Sequence, residues 1–174
     1  FLKVIDMEGL LEIIEELLHD KAKLEEEKAS NLEKIKLYEQ KISYFTNLYM
    51  QNNAYAIVYQ RQIDSYERLN DFSEESSFPL KMFDDSLFNS YSKKRIKELH
   101  DKRKKVLHRK KVASGCISYY EERREDFVSR NTEIDEEIAD IDRQLDEAYI
   151  ERDTSVIKDS DEKILERGNK NDRY

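Results

Sequence analysis

Tryptophan is absent from these 174 residues, cysteine and proline occur once each, and glycine occurs three times. Each shortage excludes something. The single Cys116 rules out an intramolecular disulfide and fits a reducing compartment, so the expected location is cytoplasmic. One proline and three glycines are too few chain-breakers for a compact mixed fold with many turns. No apolar run approaches the ~20 residues needed to span a bilayer, and the acid-rich stretches 8–27 and 132–151 argue against a membrane-surface partner. There is no zinc-ligand spacing and no strong catalytic motif, so the sequence points to no enzyme and to no cofactor.

What is abundant is charge. Asp, Glu, Lys and Arg make up 40 % of the chain and hydrophobic residues 38 %, with a net charge of −8. Eleven Tyr, seven Phe and regularly spaced Ile and Leu separate it from ordinary disordered sequences.

The spacing is that of a coiled coil. Alternate steps of 4 and 3 from Leu10 run without a slip to Tyr66, and thirteen of the seventeen positions visited are apolar or aromatic. A second series runs from Ile96 to Ala148, where twelve of sixteen positions fit. A sustained 3.5-residue period predicts two long helices, over residues 8–70 and 93–150, sharing one seam. Lys21, Lys28, Asn31 and Asn52 interrupt the first stripe; Arg103, Lys110, Arg124 and Asn131 interrupt the second.

Between the stripes lies a Phe-rich corner, residues 71–92, that holds the lone Pro79. Proline pushes the preceding Phe78 towards an extended backbone, and Asp84, Asp85 and Ser86 are candidate caps for the second helix. Phe78, Phe83 and Phe88 are too apolar for a solvated turn and read as a small core or a binding corner. After Ala148 the frame breaks at "ERDTS". Ile150, Ile157 and Ile164 then suggest a short amphipathic segment over 151–167, with Gly168 ending it and a patternless tail over 168–174. The expected fold is all-α, an elongated antiparallel helical hairpin with an aromatic-rich corner and a short C-terminal helical segment. All of it forms one helical domain.

Charge is segregated along this plan. Residues 93–111 hold eleven Lys or Arg against Glu98 and Asp101, a net +9, whereas residues 8–27 carry −6 and residues 132–151 carry −8. Folding near residue 80 sets the basic strip beside residues 51–67, which answer it poorly. Segregated charge costs self-repulsion unless salt or a partner answers it. Lys102, Arg103, Lys104 and Lys105 are therefore partner-binding candidates. Nucleic acid is not expected, because no groove-reading or base-stacking element accompanies the strip.

Apolar residues also lie off the seam. Leu11, Leu18 and Leu32 sit one place beyond it, with Ile13, Leu48 and Tyr55 on its other side. A face that broad suits a three- or four-helix bundle. It calls for a homodimer or a helical partner, or for the 151–167 segment to fold back as cover. Other chemistry is thin. His19-Asp20, His100-Asp101 and His108 are too few for a metal-dependent phosphohydrolase. Glu133, Glu136, Glu137 and Asp140 lie one turn apart, as Mg²⁺ ligands or as a solvated acidic face would. Cys116 has no neighbouring histidine to activate it.

The stretch "MFDDSLFNSYSKKRIKELHDKRKKVLHRKKVASGCISYYEERRE" resembles the small helical-hairpin accessory proteins encoded beside LXG toxins of Gram-positive type VIIb secretion. In those a polar heptad helix leads to a Phe-rich turn. A Lys- and Glu-rich helix follows and ends in paired Tyr and Arg, as Tyr119, Tyr120, Arg123 and Arg124 do here. The similarity covers about residues 24–127, and the Trp-X-Gly turn of the related WXG proteins is absent. The resemblance implies a non-enzymatic cytoplasmic partner that binds a toxin's helical N-terminal domain and helps deliver it for export. A structural subunit of a larger coiled-coil assembly, or a nucleic-acid or anionic-lipid binder acting through the basic helix, are the alternatives.

Overall fold

The computed structural model describes the backbone over residues 6–75 and 85–171, and side chains over 6–71 and 89–168. Two helices account for the described chain, α1 (Met7–Glu75) and α2 (Asp85–Asn171), and no strand occurs among the described residues. The helices pack against each other as an all-α helical hairpin. Asp6 opens α1: its carboxylate Oδ1 accepts the Gly9 backbone N–H at 2.8 Å, capping one of the amides that the first turn leaves unpaired. Glu8 in that turn complements the positive end of the helix dipole.

The two stripes are the seam. Of their 33 positions none is exposed; every one is buried or half-buried. The chain divides into two compact units, unit 1 (Phe1–Ile35 with Glu125–Tyr174) and unit 2 (Lys36–Arg124).

In unit 1, Leu10, Ile14, Leu145 and Ala148 form a buried cluster, with Leu17, Ile141 and Tyr149 packed on it. Ile134 is fully buried. The polar seam residues are answered in kind. Asn31 Nδ2 donates to Asn131 Oδ1 at 3.0 Å, and both side chains are buried. Lys21 reaches Asp142 at 2.6 Å, and Lys28 pairs with Asp135.

In unit 2 the core is built from Ile63 and Leu99, both fully buried, with Ala56, Val106 and Ala113. An aromatic row continues it, since the Tyr120 ring lies 5.8 Å from those of Tyr38 and Phe45. Asn52 bonds within its own helix, donating to the Leu48 carbonyl at 2.8 Å. Lys110 donates to Asn53 Oδ1 at 2.9 Å and lies over the Tyr49 ring, a cation–π contact. Arg103, another seam cation, differs from Lys110: its Nε is buried with no hydrogen-bond partner among the described residues.

Asn31 meets Asn131, Lys21 meets Asp142 and Asn53 meets Lys110, within two or three residues of the register expected for a fold near residue 80. Two expectations need correction. The helices claim the edges of the 71–92 corner, with α1 ending at Glu75 and α2 beginning at Asp85. Phe78 and Phe83 lie outside the described residues, as does the side chain of Phe88. Finally, no separate 151–167 segment exists. α2 runs unbroken to Asn171 through Gly168, which has no positive φ and caps nothing. The loss of apolar spacing at "ERDTS" ends the seam but not the helix, because helical hydrogen bonds are satisfied inside the segment itself. Thr154 and Ser160 fit this by donating back to the Ile150 and Val156 carbonyls.

Candidate interaction surface

Side chains left over once the seam is made are the raw material of any site. Leu11 and Leu18 are 44 % exposed and Leu32 is 53 % exposed, each one residue after a seam position of α1. Ile13 and Tyr55 are exposed too, and Leu48 is half-buried. The C-terminal rival cover is itself uncovered: Ile150, Ile157 and Ile164 are all exposed. Lys102, Lys104 and Lys105 face solvent, whereas Arg103 lies half-buried on the seam.

The structure adds a stripe that counting the seam overlooks. Leu37, Tyr44 and Val58 are exposed. Together with Lys41, Leu48, Gln51 and Tyr55 they repeat the 4-and-3 alternation, displaced by one residue from the seam. The signal was available in the sequence, as a second series at the same period rotated about 100° round the helix.

Pairing shows which flanks of the two helices share a side. In unit 1, Glu27 and Arg130, each one residue before a seam position, bond at 2.8 Å. In unit 2, Gln60 and Leu107, each one residue after a seam position, line a common depression. The Lys41 ammonium, one residue before the seam, lies over the Tyr120 ring, which Tyr119 meets edge-on. Residues that precede the seam on α1 therefore lie beside those that precede it on α2, and residues that follow it lie on the other side.

Three of the four carboxylates singled out in the sequence, Glu133, Glu137 and Asp140, are tied to arginines. Arg130 bonds Glu27, Glu133 and Glu137, and Arg143 bonds Asp140. The Arg130 guanidinium holds the Glu27 carboxyl below its usual range, and the carboxylates raise Arg130 in return. The hydrogen bond to Asp142 raises Lys21. No group of three or more metal-ligating side chains occurs among the described residues, and the two His-Asp pairs and His108 are exposed. Cys116 is a half-buried free thiol.

Charge follows the units. Unit 1 carries 27 acids and 13 bases, a net −14; unit 2 carries 18 bases and 12 acids, a net +6. Every basic residue of the 93–111 strip lies in unit 2, and there only Arg95 pairs with an acid, Glu98 at 3.2 Å, among the described residues.

No protein-family model, curated protein or solved structure matches this chain.

The Arg130 cluster makes a pH prediction. Glu27 has a lowered folded-state value, so its contribution is fully present above the unfolded carboxylate range and is lost as pH falls through the lowered value. Arg130→Ala removes that contribution and leaves Glu27, Glu133 and Glu137 without their cation. Its stability deficit is expected to be largest near neutral pH and to shrink in acid as Glu27 protonates. Urea melts of both proteins from neutral pH to about pH 2.5, spanning the carboxylate range, check this. A deficit constant across that range counts against it.

Proposed function

We propose that the chain is a non-catalytic helical interaction module, working in the cytoplasm, whose open faces take further helices. The observation that carries this reading is two rows of large apolar side chains outside a complete two-helix seam: Leu11, Leu18 and Leu32 in unit 1, and Leu37, Tyr44, Tyr55 and Val58 in unit 2. Burying one such side chain is worth about 1.5–3 kcal/mol, so several left wet on a marginally stable fold favour a covered state. Heptad spacing of these residues favours a helix as the cover. No helix among the described residues is long and apolar enough to cross a membrane. The resemblance to LXG accessory proteins supplies a setting, delivery of a toxin through its helical N-terminal domain.

The test is affinity capture from the native host with wild type and with a variant carrying Leu18→Glu, Tyr55→Glu and Ile157→Glu, one change per face. The wild type is expected to retain a helical chain, its own copies or another, in near-stoichiometric amount. The variant is expected to retain none while its circular dichroism stays unchanged. Equal capture by both proteins would sink the reading.

A further inference from the structure

The unit 2 face just described has two components on one side. From α1 come Tyr44, Tyr55 and Val58, all exposed, one residue before seam positions. From α2, also one residue before seam positions, come Lys102, Lys105 and Arg109, exposed and without an acidic partner among the described residues. An apolar stripe edged by unanswered cations asks for an amphipathic helix whose flanks are acidic.

Unit 1 presents that chemistry. Leu11, Leu18 and Leu32 lie one residue after seam positions of α1, and Glu15 and Glu25 share that side of the helix. The matching flank of α2 brings Asp146. Lengths agree as well: Leu11 to Leu32 and Leu37 to Val58 each span three heptads, roughly 30 Å of helix at 1.5 Å per residue. Charge also selects the pairing. Two copies of unit 1, each at −14, repel, and so do two copies of unit 2, each at +6, whereas one of each attracts.

We propose that the Tyr44–Tyr55–Val58 face of unit 2, edged by Lys102, Lys105 and Arg109, is a docking surface for unit 1 of a second copy of this chain, engaged through Leu11, Leu18 and Leu32. The proposal rests on the interaction-module reading and names its partner. The contact is heterologous, joining two different surfaces. Broken halves must therefore complement each other. Leu11→Glu/Leu18→Glu destroys the unit 1 face and spares unit 2. Tyr55→Glu/Val58→Glu destroys the unit 2 face and spares unit 1. Glutamate is a good helix former, so neither change asks α1 to unfold.

Sedimentation equilibrium of the purified full chain reads the result. Wild type is expected well above the 20.9 kDa monomer, and less associated in 1 M than in ~0.15 M salt, where charges act over about 8 Å. Each double variant alone is expected at the monomer mass with unchanged circular dichroism, and an equimolar mixture of the two is expected to associate again. Lys102→Glu/Lys105→Glu, which alters no seam residue, is a second variant expected to be monomeric. Association of the Leu11→Glu/Leu18→Glu chain by itself, or a mixture that stays monomeric, overturns the proposal. A monomeric wild type overturns it too. If that monomer still captures another helical chain through these faces, the module reading stands without self-docking; if it captures nothing, both fall.

Discussion

Ile63→Ala is expected to lower the stability of the hairpin by about 2–5 kcal/mol, the usual cost of removing a fully enclosed aliphatic side chain from a packed core. Ile63 has no solvent exposure, and neither has Leu99 of α2 in the same unit. In a two-helix coil there is little neighbouring structure to collapse into the vacated space, so the cavity adds to the lost transfer energy. The control is Ile157→Ala on the exposed end of α2, where the side chain is 62 % exposed. It should change stability by no more than about 0.5 kcal/mol. Urea melts at low protein concentration compare the two without the added contribution of association. Equal costs at the two positions would mean that the seam is not where the stability lies.

The second large effect concerns the buried Asn31–Asn131 pair. Its hydrogen bond is 3.0 Å long, and the Asn131 Nδ2 has no partner among the described residues. Asn131→Ala strands the Asn31 amide in the seam, at an expected cost of roughly 1–3 kcal/mol. Changing both residues to leucine has the opposite sign. It removes two partly satisfied polar groups and extends the apolar seam, so the double variant should be more stable than wild type. What it loses is specificity, because a buried polar pair penalises every register that separates its members. Spin labels at Leu24 and Ile138, both half-buried seam positions of unit 1, report this directly. One narrow distance is expected for wild type and a broader distribution for the double leucine variant. A double variant less stable than wild type, or distances just as narrow, would show that the pair does not set the register.

Both experiments probe features whose legibility in the sequence differed. Helix was legible over both stripes, because its hydrogen bonds are local and the chain supplies few residues that refuse them. The seam was legible residue by residue: Leu10, Ile14, Ile63, Leu99, Ile134 and Leu145 lie on the predicted stripes and are buried. A 3.5-residue period is a one-dimensional property, and it identifies the inward side of each helix before its partner is known. The polar interruptions were visible too, but not their purpose. Asn31 and Asn131 stand a hundred residues apart, and nothing local says that they meet.

Tertiary structure alone decided the remainder. It set the register, through pairs such as Asn31 with Asn131 and Lys21 with Asp142. It gathered Glu27, Glu133 and Glu137 around one arginine, and it brought the exposed tyrosines of α1 to the same side as the lysines of α2. The reason is common to all of these. A helix is specified by neighbours within four residues. What lies beside it depends on contacts between distant segments, whose energies are settled only when both surfaces are present.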